Sequence, residues 1–153
     1  MQCKEINHQE ELMLNNSRIL HSTNDETDYV RKKLIEFNSK QVPNGIYEEI
    51  NLCLKDENGD IIAGLNSAIC WNWMEIGILW VDDNYRSRGY GKRLLEEAES
   101  VARAKKCTFI KLDTFSFQAS EFYKKYGYKV IATIEDAPLG SKHFYYKKDL
   151  NPE

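Results

Sequence analysis

The chain has 153 residues, 42% of them apolar and 29% charged, with 21 basic and 24 acidic side chains giving a formal net charge of -3. That length suffices for one compact domain burying about two thirds of the surface its unfolded form exposes, and the balance excludes a disordered chain. The mildly negative charge is spread along the sequence, which excludes the polycationic surface of a general nucleic-acid binder.

In chain order, residues 1 to 10 are polar and carry no apolar leader core, and no later stretch approaches the roughly eighteen apolar residues of a membrane span. No membrane partner is expected, and a cytoplasmic location is the default. Residues 11 to 23 are the least regular, readable as one strand or as a short hairpin about Asn15-Asn16. From Asp25 to about Lys40, Tyr29, Val30, Leu34 and Phe37 recur at helical spacing behind N-cap candidates at 22 to 25. This predicts a helix ending before Pro43 and Gly45.

Glu49 to Lys55 alternates apolar and polar residues, Asn58-Gly59 supplies a turn, and an apolar run resumes at Ile61, which together predict a β-hairpin. Met74 to Asp82 is apolar on both alternating faces except at Glu75, the pattern of a covered central strand. Leu94, Leu95, Ala98, Val101 and Ala102 then form one apolar helical stripe, with Glu96, Glu97, Glu99 and Arg103 facing away. Thr108 to Thr114 reads as a strand, Gln118 to Tyr126 as a short helix closed by Gly127, and Lys129 to Ile134 as a strand. Asp136 to Ser141 reads as a loop before a last strand, His143 to Lys147. The order implies a single α/β domain over residues 1 to 153, with a mixed sheet and helices packed on its faces.

Cys3, Cys53, Cys70 and Cys107 contain no C-x-x-C pair, and the last three lie in or beside apolar runs, as reduced and mostly buried thiols would. His8, His21 and His143 have no metal-ligand spacing, so no metal is expected.

The segment Arg86-Ser87-Arg88-Gly89-Tyr90-Gly91 lies between the central strand and the amphipathic helix, where backbone N–H groups can converge on an anion. Arg86, Arg88 and Lys92 add positive charge, and a diphosphate is the ligand that uses both features. The dinucleotide fingerprint fails because Leu94 occupies its third glycine position. The Walker loop fails because Arg93 follows Gly91-Lys92.

What remains resembles the R-x-x-G-x-G signature of the GNAT acetyltransferases. The hydrophobic strand Ile78-Leu79-Trp80-Val81 before it and the later pattern Ala119-x-x-x-Tyr123-x-x-x-Gly127-Tyr128 extend the resemblance over residues 49 to 135. It implies a GNAT fold, a mixed and mostly antiparallel sheet flanked by helices on both faces. It implies acetyl-CoA as cosubstrate, a small-molecule or peptide amine as acceptor, and direct transfer in a ternary complex; it also allows a homodimer. Cofactor contact is implied for Leu79, Trp80, Val81, Arg86, Ser87, Arg88, Gly89, Tyr90, Gly91, Lys92, Ser116 and Ala119. The chain departs from the pattern at Ser116, where the family commonly has an asparagine.

An alkylammonium and a free glutamate differ by about six pKa units, so complete proton transfer between them is uphill by about 8 kcal/mol, a gap that burial narrows. Glu75 is the carboxylate inside the apolar strand, on the face that simple alternation shares with Val81, and it falls at the position of the catalytic glutamate in the histone-modifying branch of the family. It is the expected base. Asp82, Asp83 and Asp113 stand at expected strand ends, where carboxylates are commonly solvated, and rank behind it. The resemblance makes Tyr123 the phenol that protonates or holds the departing thiolate. Trp71, Trp73, Tyr47 and Asp136 lie in segments that could wall a site for a cationic amine. A coenzyme A-binding sensor or interaction domain without catalysis is the alternative reading.

Overall fold

The structure, a computed structural model, describes residues 18–42 and 44–150. Cys3 and the strand or hairpin expected about Asn15-Asn16 lie outside the described residues. Two compact units are present, Met1–Asn44 and Gly45–Glu153. The first contains helix α1, Asn24–Gln41, opened by a capping box: the Thr23 N–H donates to Glu26 Oε2 at 2.7 Å, and the Glu26 N–H donates to Thr23 Oγ1 at 3.3 Å. The helix stops at Val42, whose φ of -124° and ψ of 83° lie outside the helical region that a residue preceding proline avoids.

The second unit is built on six strands: β1 Tyr47–Lys55, β2 Ile61–Cys70, β3 Trp73–Val81, β4 Phe109–Phe115, β5 Lys129–Glu135 and β6 Lys142–Asp149. Helix α2, Tyr90–Ala104, joins β3 to β4, and the short α3, Ser120–Lys125, joins β4 to β5. The sheet order is β1-β2-β3-β4-β6-β5, with every neighbour antiparallel except β3 and β4. This is the mixed, mostly antiparallel sheet flanked by helices that the sequence implied. The β1–β2 turn forms as expected: Asp56 Oδ1 accepts from the N–H groups of Asn58 and Asp60, and Gly59 takes a φ of +89°.

Two irregularities in β3 set the geometry of everything that follows. Ser67 of β2 pairs with Ile76 but Asn66 pairs with Ile78, so Gly77 bulges between them. One extra residue reverses the alternation. Before the bulge Met74 and Ile76 face the core; after it Leu79 and Val81 do, while Ile78 and Trp80 are exposed. Glu75 therefore faces away from the side that Val81 occupies, contrary to the simple alternation. The second irregularity is that the parallel β3–β4 ladder ends at Ile76–Leu112, leaving the rest of the two strands unpaired with each other.

Leu94, Leu95, Ala98 and Ala102 of α2 bury against Ile69, Met74, Ile76, Ile110 and Leu112, as the apolar stripe required. Tyr123, Tyr128 and Tyr146 complete the core where α3 packs. Two burial assignments are corrected here, one in each direction. Glu99 is 13% exposed and accepts from Lys148 Nζ of β6 at 2.7 and 2.8 Å and from the Tyr128 hydroxyl at 3.2 Å, so it fastens α2 to the sheet instead of facing solvent. Cys53 is exposed, because Leu52 and Leu54 take the inward positions of β1; Cys70 is half-buried and Cys107 buried.

Replacing Lys148 with alanine strands a mostly buried carboxylate on a single phenol. Chemical denaturation is expected to show a loss of about 3 kcal/mol, as for breaking other buried ion pairs.

Candidate active site

The segment after β3 departs from ordinary loop geometry in a way that exposes backbone donors. Asp82 Oδ1 accepts from the Asn84 N–H and starts a single 3-10 turn, Asp83–Tyr85. Arg86 then ties the loop back, its Nε donating to the Val81 carbonyl at 3.1 Å and its guanidinium pairing with Asp83 at 2.8 Å. Ser87 and Gly89 both take left-handed φ values, 63° and 82°. Alternating conformations of this kind turn successive N–H groups toward one concave side. α2 begins at once on Gly89 as N-cap, with no side-chain cap and no acidic residue in its first turn. Where α1 satisfies its first turn with Thr23 and Glu26, α2 leaves its leading N–H groups for an external anion.

That loop forms one end of a cleft of about 960 Å³. Its walls are β3 from Ile76 to Val81, the loop and start of α2, Asp113 and Thr114 of β4, and the turn and helix from Phe117 to Tyr126. The cleft thus occupies the opening left where β3 and β4 part. A Cβ added at Gly91 would lie 3.4 Å from Phe122 and 3.6 Å from Val81, so a glycine lets helix, strand and α3 approach this closely. Gln118 Oε1 holds the turn at the end of β4 by accepting from the Phe115 N–H and the Thr114 hydroxyl, each at 3.1 Å.

Of the residues singled out from sequence, Leu79, Trp80, Val81, Arg86, Ser87, Gly89, Tyr90, Gly91, Lys92, Ala119 and Tyr123 line this cleft. Arg88 does not; its guanidinium lies over the Tyr85 ring at 5.3 Å. Nor does Ser116, whose N–H donates to the Lys142 carbonyl while its hydroxyl accepts from the Lys142 N–H, joining β4 to β6. Trp71 packs at a tilt on Trp73, which stacks on Phe109, at the end of β3 away from the cleft, and Tyr47 pairs with Cys70 at that same end. Neither these aromatics nor Asp136 borders the opening.

Glu75 differs from expectation in its surroundings. It sits inside the paired part of β3, opposite Lys111 of β4, and its carboxylate pairs with Lys111 Nζ at 3.1 Å. Its side chain is 47% exposed, contrary to the covered strand that the sequence pattern suggested. Asp113, assigned from sequence to a strand end, instead lies within β4 and borders the cleft. Its Oδ2 is 2.6 Å from His143 Nε2.

Tyr123 is buried, its ring packed edge-on to Phe122 and Tyr128 and against Tyr146. Burial, with a smaller contribution from the charge of Asp113, pushes its phenol up to about 12. It stays protonated and can donate throughout the neutral range. Among the described residues no acceptor takes that hydrogen bond. Burial also pushes the Cys70 and Cys107 thiols up, which leaves both poor nucleophiles. The cleft residues missed from sequence include Phe117, Gln118, Phe122 and Tyr126, while Asp113, ranked there behind Glu75, lines the cleft. No motif or spacing marked those four.

Known proteins resemble this chain in sequence and fold. The model of the acetyltransferase (GNAT) family matches residues 17–128. The chain is 37% identical over 95 residues to a blasticidin-S acetyltransferase of Streptomyces morookaense, covering 61% of this chain and 70% of that protein. It is 25% identical over 112 residues to the acetyltransferase Atu2258 of Agrobacterium fabrum, covering 73% and 80%. A crystal structure of an acetyltransferase from Bacillus cereus superposes with a TM-score of 0.83 at 38% identity, covering 88% of this chain and 98% of that one. Together with the parted strands and the uncapped loop, these matches establish that the chain belongs to the GNAT acetyltransferase family.

Proposed function

We propose that the protein moves the acetyl group of acetyl-CoA to a primary amine of a small molecule, directly within a ternary complex. The observation that carries this reading is an uncapped helix start that opens onto the gap between β3 and β4. Acetyl-CoA supplies a diphosphate and, at the far end of an amide-bearing arm, an acetyl thioester. The N–H groups of residues 87 to 92, with Arg86 and Lys92, suit the diphosphate, and the unpaired edge of β3 from Leu79 to Val81 suits the arm and the thioester carbonyl. A small-molecule acceptor is favoured by the 37% identical relative that acts on blasticidin S.

Tyr123 is the group for the departing sulfur. A phenol at about 12 lies above the ordinary thiol value of about 8.5, so outright transfer of its proton to the thiolate is uphill by about 5 kcal/mol. Its first contribution is therefore a hydrogen bond to the developing charge, worth most in a cleft with little water. Of the two carboxylates near the parting of the strands, Asp113 borders the cleft and Glu75, paired with Lys111, does not.

Gly89→Val places a β-branched residue at a φ of +82°, where L side chains are strained. Calorimetric titration is expected to show acetyl-CoA affinity falling at least about tenfold, and an unchanged affinity contradicts the cradle. Tyr123→Phe removes one hydroxyl from a packed site. Thiol release across a panel of amines including blasticidin S is expected to show kcat lowered about 100-fold with acetyl-CoA affinity nearly unchanged. Wild-type protein that binds acetyl-CoA and acetylates no amine, small-molecule or peptide, contradicts the enzyme and leaves a sensor.

A further inference from the structure

The junction where β3 and β4 part is occupied by Asp113. The last β3–β4 pair is Ile76–Leu112, so Asp113 is the first β4 residue beyond the ladder, and it borders the same cleft as Gly77 to Val81 and Tyr123. Glu75 stands one pair before that end, outside the cleft, and is held by Lys111. We propose that Asp113, held by His143, is the carboxylate that takes the proton of the acceptor amine, in place of Glu75. The proposal rests on the acetyl-transfer reading above.

His143 fits a positioning part. Its side chain is 16% exposed, and its ring is gripped by Phe115 at 4.4 Å and Tyr145 at 4.5 Å between centroids. An ionised carboxylate has no proton to offer, so in the 2.6 Å contact Nε2 carries it and donates to Asp113 Oδ2. Among the described residues Oδ1 has no partner, which leaves it for an incoming ammonium. The groups around Asp113 are His143 and Tyr145 on β6, Tyr123 on α3, Lys111 on its own strand with Lys147 opposite it, and Glu75 on β3.

The protons balance as follows. The ammonium gives one proton to Asp113 Oδ1. The freed nitrogen forms the C–N bond to the acyl carbon and the C–S bond breaks. The nitrogen's surplus proton passes through the Tyr123 hydroxyl to the thiolate, leaving the amide and a thiol, and Asp113 returns its proton to solvent. The two sites cooperate in sign: the negative charge of Asp113 is one of the causes that hold the Tyr123 phenol up, so neutralising Asp113 makes Tyr123 a stronger acid for the step that follows.

The test follows kcat/KM of Asp113→Asn, His143→Asn and Glu75→Gln from about pH 6 to 9.5, using the panel amine that wild type acetylates fastest, with acetyl-CoA affinity measured alongside. Asp113→Asn is expected to lose about 100-fold or more at pH 7 and to recover about tenfold per pH unit as free amine accumulates, with acetyl-CoA affinity within about twofold of wild type. Asp113→Ser, which keeps a hydroxyl for His143, is the second variant and must show the same slope. His143→Asn is expected to lower kcat about tenfold with the acceptor KM unchanged and the acidic limb displaced. Glu75→Gln should stay within about threefold at every pH. The slope and loss appearing in Glu75→Gln but in neither Asp113 variant overturns the assignment while leaving acetyl transfer intact. A wild-type protein that turns over no panel amine overturns both.

Discussion

The site depends on the separation of β3 from β4 after Ile76–Leu112. Backbone groups along the facing edges of a sheet need partners, and two strands that part give up those they would have found in each other. The parting is imposed from both sides. β3 is displaced by the Gly77 bulge, which its pairing with β2 enforces, while β4 follows β6 through the pairs from Leu112–Tyr146 to Phe115–His143. The opening therefore has a wall on each side that is firmly paired to another strand. Gly77 and Asp113, the first residues beyond the ladder, and the loop that starts α2 all border it.

A similar division of labour runs through the charges. Glu99, Lys148 and the Tyr128 hydroxyl fasten α2 to the sheet behind the cleft, and burial together with the Glu99 charge pushes the Tyr128 phenol well above its ordinary range. In front, Tyr123 is held protonated by burial and by Asp113, but its hydroxyl has no acceptor among the described residues. One tyrosine is locked into a structural bond and the other is left with an uncommitted donor. The loop shows the same contrast. Arg86 is committed to Val81 and Asp83, fixing the loop's shape, while the N–H groups beyond it remain unused by α2.

Much of this was legible in the amino-acid order, because local chemistry decides it. The cap candidates at 22 to 25 stand directly before a helical pattern and Thr23 proves to be the cap, Asn58-Gly59 turns a hairpin, and the stripe from Leu94 to Ala102 can only bury one face. The loop from Arg86 to Gly91 was visible through its glycines and its place between strand and helix. What was not legible is what pairing between distant strands decides. A bulge is set by the registration of β2 on β3, and it alone reversed the face assigned to Glu75. Asp113 was misplaced because β4 runs one residue further than its apolar pattern suggests, and His143 became relevant only once β6 lay beside β4. Glu99 sits at the margin of the helix stripe, and no spacing rule reveals that Lys148 will reach it from the last strand.

One ligand, acetyl-CoA, is expected to bridge the loop at the start of α2 and the gap between β3 and β4. Amide hydrogen exchange with and without acetyl-CoA reads both places at once. Slowed exchange is expected in residues 87 to 92 and in residues 78 to 81 together, with the β1–β2 turn at 56 to 60 unchanged. Slowing confined to other segments, or in the loop without the β3 edge, contradicts it.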